Sequence, residues 1–263
     1  MPFATASDGT RLHYDTDGQG EPLLLIAGQA SDHREWDGVR ADFAAHHRVI
    51  VWDYRGTGAS DKPRQPAYST RGFADDAVAI LDHLGLARAH AYGVSMGGRV
   101  AQWLGIDHGH RLGALVLGAT TPGNAHGVAR HPAVTQAMQR GDWASLRHTL
   151  VSPDWSRTHP DFEARMAAMD ATPAPAHARR LHYQASEALD SWDALPQITA
   201  PTLVIHGSQD EINVSANAAL LASRIPGAEL AVIDGARHSY FEEFRTLASQ
   251  RVLEFLQRHP TTH

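Results

Sequence analysis

Six short apolar runs punctuate the chain: EPLLLIAG (21–28), HRVIVWDYRG (47–56), AHAYGVS (89–95), LGALVLGAT (112–120), APTLVIHGS (200–208) and AELAVIDGA (228–236). Each has the length of a strand, is rich in branched or aromatic residues, and closes on glycine or a polar turn. The runs are continuously apolar rather than alternating, which suits strands buried on both faces in a parallel sheet. Helical patterns fill the gaps. In 70–86, Phe73, Ala77, Ile80, Leu81 and Leu84 recur at helical spacing, and Gly85 stands where a helix stop belongs. Segments 217–227 and 244–259 behave alike, and Met96 to about Asp107 reads as a helix following the third run. Strand alternating with helix predicts an α/β chain with a doubly wound, mostly parallel sheet.

One region breaks the rhythm. From about Thr121 to Leu195 there is no good strand, whereas RMAAM and ARRLHYQASEAL read as helices separated by a break at TPAPAH (172–177). This predicts a core in two parts, 1–121 and 196–263, with a helical cap or lid inserted at 122–195. Ligands of such folds bind beyond the carboxyl ends of the strands, where a helical excursion would cover them.

Composition narrows the function classes. The 263 residues have room for about one or two domains, and a formal charge of −6 with scattered Lys and Arg suits neither a nucleic-acid backbone nor an anionic membrane. No run approaches the roughly 18 apolar residues needed to span a bilayer. The opening MPFATASDGTRLHY carries no basic stretch followed by an apolar run, so a cytoplasmic protein is expected. There is no cysteine, which removes disulfides, thiolate metal sites and cysteine nucleophiles together. The 18 histidines include the pairs His46/His47 and His108/His110, but no HExxH and no matching ligand set, so no metal site is expected.

The candidate chemistry lies in AYGVSMGGRV (91–100). A Gly-x-Ser-x-Gly at a strand end, before a helix, is the context of a nucleophile elbow. The backbone must turn sharply to lift the hydroxyl of Ser95 into a cleft. Gly93 and Gly97 remove bulk that would clash there. A serine hydroxyl needs a base. His238, in DGARHSYFEE (234–243), follows the last apolar run. The base needs an acid to fix its tautomer, and Asp210, in VIHGSQDEIN (204–213), follows the preceding run; Glu211 is its adjacent rival. His206 lies inside that run and reads as a packed or hydrogen-bonded residue, and Asp234 reads as pointing along its strand end. An oxyanion would be met by the backbone N–H of Met96 and, after the turn at Gly28, by that of Gln29. The loop WDYRGTGASDKP (52–63) lacks the GK[ST] ending of a phosphate loop and reads as structural, with Asp53 and Arg55 in turn or ion-pair contacts.

Together AGQ, DYRGTGASDKP, GVSMGG, PTLVIHGSQD and DGARHS resemble the α/β-hydrolase superfamily, over most of the span from Leu23 to His238. GVSMGGRVAQWL and DYRGTGASD are similar to its small esterase and lactonase branch, which includes 3-oxoadipate enol-lactonases and polyketide methylesterases. Many relatives carry His-Gly where this chain has Ala27-Gly28, so a supporting imidazole is missing. The resemblance implies hydrolysis of a small-molecule carboxylic ester or lactone, without a cofactor, by a triad of Ser95, Asp210 and His238 with Gln29 and Met96 as oxyanion donors. Carbon–carbon bond hydrolysis, thioester hydrolysis and perhydrolysis use the same apparatus, and a binding protein without turnover could retain it. Gly28, Trp143, Trp155, His126 and Met138 are candidates for the substrate pocket. Oligomeric state is left open by the sequence.

Overall fold

The structure, a computed structural model, describes residues 1–65 and 68–261. Residues 66–67, in the first expected segment, and 262–263, in the last, lie outside this range. Eight strands form one sheet: β1 (Phe3–Thr5), β2 (Arg11–Asp17), β3 (Pro22–Ile26), β4 (Arg48–Trp52), β5 (Ala89–Val94), β6 (Leu112–Gly118), β7 (Thr202–Gly207) and β8 (Glu229–Ile233). Their order is β1-β2-β4-β3-β5-β6-β7-β8. The β1–β2 and β2–β4 pairs are antiparallel, and every later pair is parallel. The last six strands are those the apolar runs predict.

Strands β5 and β6 are buried at every position, as expected for strands covered on both faces. Strand β8 departs from that expectation. It is the sheet edge, and Leu230 and Val232 are 46% and 49% exposed. The hydrophobic pattern carries no signal for β1 or β2, because Arg11–Asp17 is mostly polar and β1 spans three residues.

Helices α1 (Arg40–Ala44), α2 (Thr70–His83) and α3 (Met96–Asp107) lie in the first half. Helix α2 buries Phe73, Ala77, Ile80 and Leu81 and starts at Ser69, whose side chain accepts the Gly72 N–H. Between β6 and β7 come α4 (Pro132–Arg140), α5 (Arg147–Leu150), α6 (Pro153–Thr158), α7 (Pro160–Ala171) and α8 (Ala176–Glu187). The break at 172–177 falls mostly between α7 and α8. The chain closes with α9 (Ala216–Arg224), α10 (Tyr240–Glu243) and α11 (Arg245–Gln257). The main core holds the sheet, with Trp36, Phe43, Tyr92 and Tyr240 almost fully buried. A smaller core of Val134, Ala137, Met138 and Leu146 includes Ile212 from the loop after β7. Burying a side chain of this size contributes roughly 1.5–3 kcal/mol. Among the described residues no helix is long and apolar enough to cross a membrane.

Candidate active site

The parallel strands deliver their following loops to one edge of the sheet, and each candidate triad and oxyanion residue sits in a loop or turn beyond a strand end. Ser95 joins β5 to α3 with φ 56° and ψ −119°, a left-handed conformation costing on the order of 1–3 kcal/mol for a residue with a Cβ. The turn is pinned on both sides. The Ser95 N–H donates to the Gly118 carbonyl at 2.9 Å, and its own carbonyl accepts the Thr120 hydroxyl at 2.8 Å. A Cβ on Gly93 would run into the Gly97 backbone, and one on Gly97 would meet the carbonyls of Ile26 and Ala27. The elbow therefore presses backbone to backbone on the end of β3, beside the loop that follows it.

Asp210 and His238 meet at the ends of β7 and β8. His238 Nδ1 lies 2.8 Å from Asp210 Oδ2. Asp210 Oδ1 accepts the N–H groups of Ile212 and Asn213 at 2.8 and 2.9 Å. Burial would raise the Asp210 carboxyl, but the charge and hydrogen bonding of His238 and His206 outweigh it and hold the group well below the usual carboxylate range. Glu211 is exposed, and Asp234 is exposed with its Oδ1 accepting the Ser208 hydroxyl at 3.1 Å. His206 is fully buried. Its Nε2 lies 2.6 Å from the Asn213 carbonyl and 3.1 Å from Asp210 Oδ2, so two imidazoles share one carboxylate oxygen. The His238 and Ser239 N–H groups donate to the carbonyls of Thr149 and Leu150, which tie the histidine loop to α5.

Residues 27–31 form the loop beyond β3. The Tyr54 hydroxyl holds the Ala27 carbonyl at 2.8 Å, and the Gly28 N–H donates to Glu35 Oε2 at 2.5 Å. These two contacts support the loop that lacks the relatives' imidazole. The main-chain N–H groups of Gln29 and Met96 have no protein acceptor among the described residues. Met96 is buried at the first turn of α3, where unpaired amides and the helix dipole favour negative charge.

Ser95, His238, Gly28 and Gln29 all line a cavity of about 460 Å³. Its far wall comes from the 122–195 segment, including Trp143 and Leu150, with Phe162, Met166 and Met169 from α7. Trp155 does not line it. Its ring stacks on His159 at 4.0 Å and packs edge-on against Phe162, beside a separate surface groove. His126 likewise stacks on Trp192, and Met138 is buried in the smaller core. Trp143 and Gly28 are thus at the cavity, and Trp155, His126 and Met138 are not.

Sequence patterns gave no signal for Glu35, which also lines the cavity. Burial pushes its carboxyl up to about 7, against the pull of the Gly28 N–H and of His238. One His/Asp group among the described residues, His13, His33 and Asp53, has metal-ligand spacing. Both imidazole Nδ1 atoms already contact Asp53, at 2.9 and 2.7 Å, and Asp53 also accepts the Ala59 N–H. In the same loop Arg55 forms a two-pronged ion pair with buried Asp76.

A family model for the alpha/beta hydrolase fold matches residues 21–244. The chain is 29% identical over 248 residues to 3-oxoadipate enol-lactonase 2 of Acinetobacter baylyi, covering 91% of this chain and 90% of that one. It is 28% identical over 280 residues to a non-heme haloperoxidase of Rhodococcus erythropolis, covering 98% and 100%. A solved structure described as an N-acyl homoserine lactone degrading enzyme superposes with a TM-score of 0.84, at 33% identity, over 97% of this chain and all of the other.

Proposed function

Because this chain belongs to the α/β-hydrolase fold family and is a hydrolase, we propose that it cleaves a small-molecule carboxylic ester or lactone through an acyl-enzyme on Ser95. The observation that carries this reading is the His238–Asp210 hydrogen bond at the rim of the cavity that Ser95 enters from its strained elbow. Ser95 Oγ attacks the carbonyl carbon, and His238 Nε2 takes the hydroxyl proton. Asp210 holds the proton on Nδ1 and stabilises the imidazolium. The N–H groups of Gln29 and Met96 receive the oxyanion. His238 returns the proton to the leaving oxygen, and water then releases the acid by the same steps.

The similarity to an enol-lactonase and to an N-acyl homoserine lactone degrading enzyme supports lactones within this class. Segment 122–195 acts as the lid that selects among them. Its Trp143, Met166 and Met169 make an apolar wall suited to an acyl chain or ring. Ser95→Ala tests the reading. It should lower p-nitrophenyl acetate turnover by at least a thousandfold at unchanged melting temperature, whereas a variant as active as the parent contradicts it. Perhydrolysis is a second reading, supported by the haloperoxidase similarity, and peroxide-dependent peracid formation measures it directly.

A further inference from the structure

Glu35 is a carboxyl that the acyl-transfer steps above do not use, yet it stands beside them. It sits on a 3-10 turn, His33–Trp36, whose start is capped by Asp32 and whose last residue, Trp36, is clamped between Tyr92 and Phe241. The side chain is therefore delivered from a rigid element. Oε2 is occupied by the Gly28 N–H. Oε1 has no hydrogen-bond partner among the described residues, and it is not sealed from the cavity. Three of the other cavity-wall carboxylates are ion-paired, Asp32 with Arg34, Asp170 with Arg147 and Glu242 with Arg165, and Asp142 accepts the Ser145 N–H within its own turn. Glu35 has no ion-pair partner among the described residues.

Its distance from the reacting centre follows from Gly28. The point where a Cβ would stand on that glycine is 3.2 Å from Glu35 Oε1 and 3.6 Å from Ser95 Cβ. Glycine leaves this point free of a side chain, and the two distances together keep Oε1 within 6.8 Å of Ser95 Cβ. An acyl carbon bonded to Ser95 Oγ is two bonds from Ser95 Cβ, and a substituent on the next carbon reaches into the same space. Val94, Trp143 and Phe241 supply apolar surface to the same cavity lining. A polar acceptor without a protein partner, beside the reacting serine, fixes the orientation of a ligand that carries the matching donor.

Resting on the ester or lactone reading, we propose that Glu35 is a specificity-determining residue: Oε1 accepts a hydrogen bond from a hydroxyl or N–H on the carbon next to the scissile carbonyl. The substrate class is then 2-hydroxy or 2-amido esters and lactones. A substrate without the donor leaves the buried carboxyl unpaired, and sites built this way reject such analogues.

The test compares methyl butanoate with methyl 2-hydroxybutanoate, and γ-butyrolactone with its 2-hydroxy form. Hydrolysis is followed by pH-stat at pH 8.5, where the Glu35 carboxyl is ionised and Oε1 accepts, and each kcat/KM is divided by the rate of hydroxide-catalysed hydrolysis of the same compound. The parent enzyme should favour the hydroxylated member by roughly 10- to 100-fold, the range expected for a hydrogen bond to an ionisable group. Glu35→Leu should bring that ratio to about one. Gly28→Ala keeps the carboxyl but fills the space before Oε1, and should also collapse the ratio, which covers the case in which Glu35→Leu does not fold. A parent ratio near one, or a ratio that survives in Glu35→Leu or Gly28→Ala, overturns the proposal. Labelling by a fluorophosphonate probe with p-nitrophenyl acetate turnover, but no 2-hydroxy preference, sinks this inference alone. Absence of both labelling and turnover sinks the hydrolase reading beneath it.

Discussion

Replacing Asp210 by Asn removes one charge while keeping the shape, and the surroundings decide how the amide must sit. Oδ1 is held by the two N–H donors of Ile212 and Asn213, so the amide oxygen takes that side. The NH2 group then faces His238 Nδ1, where the carboxylate oxygen stood at 2.8 Å. Nδ1 can no longer donate and must accept, which moves the ring proton to Nε2, the nitrogen required to take the Ser95 proton. His206 loses little, because its Nε2 keeps the Asn213 carbonyl at 2.6 Å. The imidazolium formed during reaction also loses its counter-charge. Unit charges at the observed 2.8 Å separation attract by about 6 kcal/mol at an effective dielectric of about 20. That agrees with a barrier increase of about 4–5.5 kcal/mol, or a 10³–10⁴-fold fall in kcat. The assay is p-nitrophenyl acetate turnover between pH 6 and 9, with a melting curve to show that the fold survives. A folded Asp210→Asn enzyme within tenfold of the parent would refute the reasoning.

Two further outcomes follow from packing and charge. Gly97→Ala sets a methyl against the carbonyls of Ile26 and Ala27, which are backbone and cannot swing aside; urea unfolding should show a loss of about 1–3 kcal/mol with at least a tenfold drop in turnover, and a variant equal to the parent in both would contradict the close approach of elbow and oxyanion loop. Glu35 has its folded pKa raised above the ordinary 4.5 to about 7, so its stabilising effect is complete below 4.5 and is lost as pH rises through 7. Glu35→Gln should therefore flatten the pH dependence of unfolding free energy between pH 4.5 and 7, by at most about 3 kcal/mol, and an unchanged slope in urea titrations would count against the buried carboxyl.

What was legible in the sequence follows from what buries each element. The six parallel strands carry their own signal, because a strand covered on both faces must be apolar throughout. The same rule misled at β8, where Leu230 and Val232 are apolar yet half exposed at the sheet edge. Strand β2 was illegible for the opposite reason: it is mostly polar, with Arg11, Thr16 and Asp17 exposed, and its place is fixed by pairing Tyr14 with Trp52, a partner far along the chain. Ser95, Asp210 and His238 could be picked out because each lies just past a strand end, a position that sequence order reveals. Trp143 and Trp155 could not be separated, since both are tryptophans of one helical segment. Only the packing of Trp155 on His159 and Phe162 turns it from the cavity. Glu35 is one of several charged residues in ASDHREWDG, and its character comes from Gly28 and from walls contributed by distant segments.

The proposed mechanism stands or falls on one covalent bond. Intact-protein mass spectrometry after treatment with a fluorophosphonate probe, followed by peptide mapping, reads it directly. A single adduct is expected on Ser95, formed at least a hundredfold more slowly in His238→Ala, where the base is missing. An unmodified Ser95 in folded protein, or an adduct on Ser95 that forms equally fast without His238, would contradict the account.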